Sequence, residues 1–156
     1  MIAKKIIIDS VYLNSEGGKT ILFQVIDFLK QEKLINDYYF LLDNRLNMKQ
    51  SFLSTINYEF IIASEKSRRN FYLKVKENYK SIICMSNVPP PLKFDKNVFI
   101  YFHNDLFLTP LKTNLNIINI GLNLLKKIYI KSLNQNNYKW IVQTKLMKKN
   151  LSRSFS

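Results

Sequence analysis

Positions 4–20 read KKIIIDSVYLNSEGGKT, and an amphipathic run follows as far as position 30. The β-branched block Ile6–Ile8 predicts a short buried strand. Beyond the glycines, apolar side chains recur at the spacing of one helix face, namely at Ile21, Leu22, Val25, Ile26 and Leu29. The segment therefore predicts a strand, a polar loop that closes on Gly17-Gly18, and a helix.

The glycine pair is the most unusual feature of this unit, because Gly17 and Gly18 are two of only three glycines in the chain. Such a pair suits a backbone that needs positive φ or that approaches a ligand closely. The helix behind it offers free N–H groups and a partial positive charge, which favour a phosphate. A tight turn without a ligand is the alternative. The first glycine of a P-loop would fall at Leu13, so the pattern argues against a Walker-type site.

The composition is that of one folded domain. The chain has 156 residues, of which 47% are hydrophobic and 13% aromatic. Its single cysteine, Cys84, cannot form an internal disulfide, which fits a reducing compartment. Cys84 lies in the apolar run 81–85, where a buried strand cysteine is expected rather than a nucleophile. No apolar run in the sequence approaches the length of a membrane span.

The charge balance is strongly basic, with a formal net charge of +13. This balance favours polyanions or an anionic membrane surface as partners. A background bias, in which many lysines only solvate the surface, is the alternative, because the basic residues are scattered. Two modest clusters stand out, at Lys66, Arg68, Arg69 and at Lys145, Lys148, Lys149, Arg153.

Strand and helix patterns alternate along the rest of the chain. Further strands are predicted at 38–42, 58–63, 81–85, 98–102 and 140–142. Helices are predicted within 45–55, after a cap at Ser64-Glu65, at 118–133, and in the basic segment that follows Gln143-Thr144. In the 118–133 helix we expect an apolar side formed by Leu122, Leu125, Ile128 and Tyr129, with Lys126, Lys127 and Lys131 in solvent.

This alternation of continuous apolar strands with helices predicts an α/β fold. We expect a Rossmann-like, doubly wound, mainly parallel sheet of about six strands with helices on both faces. Right-handed crossovers place the carboxyl ends of all strands at one edge of the sheet, where ligands bind near the switch point of strand order. Unusual residues follow four of the strands at that edge: Gly17-Gly18, Asn87 with the prolines at 89–91, His103-Asn104, and Gln143-Thr144.

His103 is the only histidine and follows the fifth predicted strand. A binding or catalytic role and a purely structural one carry similar weight for a lone histidine. With one histidine and one cysteine the sequence offers no metal cluster, and no Ser-His-acid triad stands out. Asp9, at the end of the first strand, is expected to satisfy backbone N–H groups rather than to orient the glycine loop.

Four segments together resemble the amino-terminal half of bacterial GT-B glycosyltransferases. They are IIIDS to GGKT at 6–20, NVPP at 87–90, YFHN at 101–104 and WIVQT at 140–144. Within that family the chain is most similar to the retaining family-four group, which builds capsular, O-antigen and other surface polysaccharides. The resemblance rests on the order and spacing of the segments. It covers nearly all of this chain and about half of a typical member.

The resemblance implies a particular fold and metal-free chemistry. The chain would be one half of a GT-B fold, in which two Rossmann-like domains face each other across a cleft and the amino-terminal domain mainly binds the acceptor. The nucleotide-sugar donor is a substrate, so no cofactor and no metal are expected. Backbone dipoles and basic side chains would stabilise the leaving diphosphate.

The resemblance also assigns roles to residues. Gly17 and Gly18 would approach the donor diphosphate from the opposing domain, and Lys19 is placed with them as a substrate-binding candidate. His103 would contact the transferred sugar and is the catalytic candidate. Two asparagines are weaker substrate-binding candidates: Asn87 and Asn104.

The family's donor-binding domain, with its pair of glutamates, has no counterpart within residues 1–156. We therefore expect an acceptor-side domain that does not transfer sugar alone, whether a truncated product, an excised domain or half of a two-chain enzyme. Its expected partners are a nucleotide-sugar, a glycan or lipid-linked acceptor, and a second chain carrying the donor domain. The expected location is the cytoplasm, and the positive charge favours the inner face of the cytoplasmic membrane.

Two other functions stay open at this level. A basic single-domain protein that binds nucleic acid or another anionic ligand without catalysis would explain the charge and the tyrosines among the lysines. The sequence shows no recognition motif and no dense basic stripe, so no specific nucleic acid is expected. A nucleotide-using enzyme complete in one domain is disfavoured by the failed P-loop pattern.

Overall fold

A computed structural model of the chain describes residues 4–75, 78–103 and 117–155. Six strands are present in the described part: β1 Lys5–Asp9, β2 Tyr38–Asp43, β3 Tyr58–Ile61, β4 Tyr79–Cys84, β5 Val98–Phe102 and β6 Lys139–Val142. The helices of the same part are α1 Glu16–Gln31, α2 Gln50–Leu53, α3 Glu65–Val75, α4 Ile117–Leu133 and α5 Lys145–Phe155, with a 3₁₀ turn at Ile35–Asp37.

The six strands form one sheet in the order β3-β2-β1-β4-β5-β6, and every neighbouring pair is parallel. This confirms the predicted α/β, Rossmann-like architecture. The strand order reverses between β1 and β4. The carboxyl ends of these two strands therefore flank the switch point, which is where open α/β sheets bind ligands.

The core lies on both faces of the sheet because successive strand residues point to opposite sides. On one face, Ile7 of β1 packs with the apolar side of α3, which is formed by Phe71, Tyr72 and Val75. On the other face, Ile8 packs with the buried side of α1, which is formed by Leu22, Ile26 and Leu29. Cys84 of β4 is fully buried in the first of these clusters, as predicted.

The loop after β1 differs from the prediction. Helix α1 begins at Glu16, so Gly17 and Gly18 lie in its first turn instead of ending the loop. Neither glycine has positive φ. The side chain of Ser15 caps the helix by accepting the N–H of Gly18 at 3.3 Å. The left-handed backbone of this loop is instead at Tyr12, with φ of 75°.

Helix α4 is also turned differently from the prediction. Leu125 and Ile128, expected on its buried side, are 64% and 57% exposed. Ile130 is buried instead, and Tyr129 donates a hydrogen bond to Glu65 at the start of α3. The side of α4 that carries Tyr129 and Ile130 therefore faces the rest of the protein. Within the described residues no helix combines the length and hydropathy needed to cross a bilayer.

A buried ion pair joins α3 to β1. Arg68 and Asp9 are both fully buried, and Arg68 donates from Nε and Nη2 to Asp9 Oδ2 at 3.1 and 2.7 Å. Tyr72 donates to the same oxygen at 2.8 Å. Val11 N–H donates to Oδ1 at 3.1 Å, as expected for Asp9. The sequence groups Arg68 with Lys66 and Arg69 in a modest basic cluster, but Arg68 lies on the buried side of α3.

Removing the cation of this pair should destabilise the fold severely. In Arg68→Met the Asp9 carboxylate stays buried without its counter-ion, which typically costs about 3–5 kcal/mol of the free energy of unfolding. Urea denaturation followed by circular dichroism measures the change. The matched control is Arg69→Met at the neighbouring exposed position, which should stay within about 0.5 kcal/mol of the wild type.

A second variant separates charge burial from lost packing. The double variant Arg68→Met with Asp9→Leu leaves no unpaired charge, so it should be more stable than Arg68→Met alone. Equal stabilities of the double and single variants would show that the ion pair itself is not what holds α3 to β1.

Candidate functional site

A cleft of about 490 Å³ lies beyond the carboxyl ends of β1, β4 and β5. Its walls come from the loop after β1, the loop after β4, the end of β5 and helix α4. The residues that matter below are Tyr12, Ser86, Asn87, His103 and Tyr129. The cleft therefore occupies the switch-point region where the sequence predicts a ligand site.

Asn87 and His103 are brought together at this edge. Asn87 has a φ of 65°, a left-handed conformation that asparagine tolerates better than most residues. Its side-chain Oδ1 accepts the backbone N–H of His103 at 2.7 Å. The bond ties the loop after β4 to the end of β5. Asn87 thus fixes the direction in which the chain leaves β5 at His103.

Two residues that line the cleft each carry a buried polar atom that lacks a hydrogen-bond partner within the described part of the chain. These atoms are Ser86 Oγ and His103 Nδ1. Ser86 is 6% exposed, so its hydroxyl has little access to bulk water. Buried polar groups nearly always have partners, and one without a partner calls for an explanation such as a bound ligand. The cleft thus offers hydrogen-bonding capacity that a polar ligand could use.

His103 is electrically neutral at pH 7. Burial lowers the pKa of its imidazole below the ordinary value of 6.5. The ring stacks on Tyr101, with the ring centroids 5.6 Å apart and the planes inclined by 23°. A neutral imidazole has one donor and one acceptor nitrogen, so it can bond a hydroxyl group in either direction.

The titration of His103 tests this environment directly. Because it is the only histidine, its imidazole C–H signals in a ¹H NMR spectrum are unambiguous. We expect a midpoint below 6.5. The folded state then prefers the neutral ring. The contribution of His103 to the free energy of unfolding therefore falls as pH drops from 6.5 toward the folded pKa, and it does not change with pH well above 6.5. His103→Gln should lack this part of the pH dependence. A midpoint at or above 6.5 would contradict the burial argument.

Arg68 also holds the loop after β4, which forms part of the cleft wall. Besides its bond to Asp9, its Nη2 donates to the carbonyl oxygens of Val88 and Pro89 at 3.3 and 3.2 Å. The ion pair therefore anchors the loop after β4, which carries Ser86 and Asn87, to the end of β1. This role of Arg68 is not among those predicted from the sequence. The signal was present in the spacing, because position 68 shares a helical face with 71, 72 and 75.

The acid at the end of β2 is already fully engaged. Asp43 Oδ1 and Oδ2 accept from Arg45 Nε and Nη2 at 2.9 and 2.6 Å, and Oδ2 also accepts Tyr12 N–H at 3.0 Å. Burial alone would raise the pKa of Asp43, but the bonds from Arg45 and Tyr12 outweigh it and lower that pKa. An acid in this region binds ribose hydroxyls in dinucleotide-binding folds. The engagement of both oxygens argues against that use here.

The glycine segment lies beside the cleft rather than in its wall. A Cβ at Gly18 would lie 2.8 Å from the Leu13 side chain, so this glycine allows the loop to pack on α1. A Cβ at Gly17 would meet nothing within 4 Å. Lys19 pairs with Glu16 at 2.7 Å. Ligand-binding roles for Gly17, Gly18 and Lys19 stay predictions, with the open approach at Gly17 as the feature that suits one.

The two glycines should respond differently to alanine. Gly18→Ala forces Leu13 to move and should cost about 1–3 kcal/mol of the free energy of unfolding. Gly17→Ala has open space in a helix, so its stability should equal or exceed the wild type by up to about 1 kcal/mol. Thermal or urea denaturation of the matched pair measures both values. Equal costs at the two positions would contradict the packing role of Gly18.

The remaining predicted site residues have mixed outcomes. Asn104 lies outside the described residues. Thr144 Oγ1 accepts the N–H of Met147 at 3.1 Å and thereby caps α5. Gln143 donates to the Tyr101 hydroxyl at 2.6 Å. In the part of the chain that the structure describes, no group of three or more His, Cys, Asp or Glu side chains is arranged to hold a metal ion.

Comparison of the chain with protein-family models, curated protein sequences and solved structures gives no match.

Proposed function

We propose that this chain is the acceptor-side domain of a retaining glycosyltransferase, which uses a nucleotide-sugar to extend a surface-polysaccharide or lipid-linked glycan. The observation that carries the proposal is the switch-point cleft, whose lining residues Ser86 and His103 each hold a polar atom without a partner among the described residues. The Rossmann-like sheet supports it, because such a sheet is one half of the expected two-domain enzyme.

The chemistry of the cleft suits a sugar. A sugar ring presents many hydroxyl groups, each of which can donate and accept, and it also presents apolar C–H faces. Ser86 and the neutral His103 can bond hydroxyls. Tyr12 and Tyr129 add aromatic surface to the same walls. The volume lies within the range of about 300–1,000 Å³ that is usual for small-molecule sites.

The proposed roles combine what the glycosyltransferase resemblance implies with the positions of the residues. His103 contacts the transferred sugar, Asn87 holds the backbone of His103 in place, and Ser86 bonds an acceptor hydroxyl. The open surface at Gly17, at the amino end of α1, is where the donor diphosphate would approach. The donor site itself would come from a further domain or a second chain, so the described chain binds acceptor but does not transfer sugar.

The proposed acceptor also suggests a location. A lipid-linked glycan is extended at a membrane surface, and a net charge of +13 attracts the protein to anionic lipid. We therefore place the protein in the cytoplasm at the inner face of the cytoplasmic membrane.

Saccharide binding by the isolated chain tests the proposal. A panel of short oligosaccharides and water-soluble analogues of lipid-pyrophosphate-linked sugars is titrated into the protein, and the His103 imidazole signals are followed by NMR. We expect saturable shifts with at least one saccharide. Ser86→Ala should weaken that binding about fivefold, because one hydrogen bond is worth about 1 kcal/mol. His103→Ala has no histidine signal, so its binding is measured by isothermal titration calorimetry, and it should be weakened at least as much.

The control is Ser51→Ala, which removes an exposed hydroxyl on α2 far from the cleft and should bind like the wild type. Two results would overturn the proposal. One is an absence of saccharide-dependent shifts across the panel. The other is a clear preference for one nucleic acid sequence or structure that depends on His103, which would favour a nucleic-acid-binding protein.

A further inference from the structure

Helix α1 packs on one face of the sheet, and the half of that face formed by β4–β6 is poorly covered. On strands β4–β6, the side chains that point to this face are half-buried or exposed, in contrast to Ile82 and Ile100, which point to the other face and are fully buried. The outward-pointing residues are Ile83, Phe99, Tyr101 and Ile141, of which Ile141 is 45% exposed. An apolar surface is therefore open beside α1.

The opposite face of the same strands is well covered. There α3 packs on β1 and β4, and α5 packs Met147 and Leu151 on Phe102 of β5. Parallel sheets occur almost only with helices on both faces. Among the side chains that the structure describes, those of α1 are the helical ones that line the open half on this face. Among the described side chains, the poorly covered surface is therefore confined to one face of three neighbouring strands.

The open surface forms a trough of about 380 Å³, here called the α1 trough. Helix α1 provides one wall with Ile21, Val25 and Phe28, and the sheet provides the floor with Ile83, Tyr101 and Ile141. Phe28 is 56% exposed, although it lies on an otherwise well-packed helix. The apolar lining and the exposed phenyl ring favour burial against another apolar surface.

The dimensions of the trough fit a helix. Adjacent strands lie about 4.8 Å apart, so three strands form a shelf about 10–14 Å wide. A helix with its side chains is about 10–12 Å across. One helix lying beside α1 would complete the helical layer on this face of the sheet. It would bury the exposed side chains of the α1 wall and of the floor.

Charge indicates the chemistry of that helix. Two copies of this chain would each carry a formal net charge of +13, and the repulsion between them opposes self-association. Lys139, at the start of β6, is exposed on the floor side of the trough, with its ammonium 5.4 Å from the Phe99 ring centroid. An acidic partner gains from both the local cation and the field of the whole protein.

We propose that the α1 trough is the docking site of an amphipathic helix from a partner polypeptide, with an apolar face toward the sheet and acidic residues on its polar side. This goes beyond the glycosyltransferase function and does not depend on it. The trough lies on the face of the sheet, whereas the proposed sugar site lies at its carboxyl edge, so the two sites can be tested separately.

A designed peptide tests the proposal with the intact chain. The probe is a fluorescent helical peptide of 16 residues, the length of α1, with leucine and isoleucine on one face and glutamate on the other. We expect saturable binding by fluorescence anisotropy that weakens with added salt. Ile141→Glu should weaken binding at least about tenfold, the effect typical of a central apolar anchor. Phe28→Glu, in the wall formed by α1, should weaken binding by a similar factor.

Two controls test separately where the peptide binds and whether its negative charge matters. Ile62→Glu changes an apolar side chain that is 64% exposed at the far edge of the sheet, and it should bind the peptide like the wild type. A peptide with lysine in place of glutamate should bind at least tenfold more weakly. Circular dichroism and thermal denaturation confirm that each variant is folded.

Several outcomes would overturn the proposal. One is an absence of saturable binding, or equal binding by the lysine peptide or by Ile141→Glu. A concentration-dependent dimer that Ile141→Glu abolishes would show that a second copy fills the trough. Binding to vesicles of anionic lipid that is lost in Ile141→Glu would show that the surface faces a membrane instead.

Discussion

The buried Asp9–Arg68 ion pair is the interaction on which the geometry of the cleft depends. Asp9 ends β1, Arg68 lies in the first turn of α3, and the Arg68 side chain also reaches the carbonyl oxygens of Val88 and Pro89. One guanidinium therefore joins three chain segments that are distant in sequence. Burying it is costly, and the acid and the carbonyl groups offset that cost by accepting from its Nε and Nη2.

This arrangement explains why the cleft opens where it does. With α3 and the loop after β4 held to the end of β1, the loop diverges from β1 at the switch point and carries Asn87 toward His103. The left-handed backbone at Asn87 completes that course. The side chains that would meet a ligand thus lie on loops, while their positions are set by strands, a helix and a buried charge pair.

The fold could be predicted from the sequence, whereas the details of the site could be predicted only in part. The apolar blocks of β1 and β5 and the helical spacing in α1 depend on local patterns, and the structure has these elements where the patterns place them. The buried state of Arg68 depends on a partner 59 positions away, so composition suggests a surface residue. The rotation of α4 likewise depends on Glu65 of another helix, which no local period encodes.

Cys84 gives the chain a built-in reporter. Its thiol is fully buried in β4 at the centre of the sheet, and burial raises its pKa, so it is shielded from reagents both sterically and chemically. Because it is the only cysteine, reaction with a thiol reagent can come from one place alone. The rate of that reaction therefore measures how often the strands at the switch point separate, without any label or engineered residue.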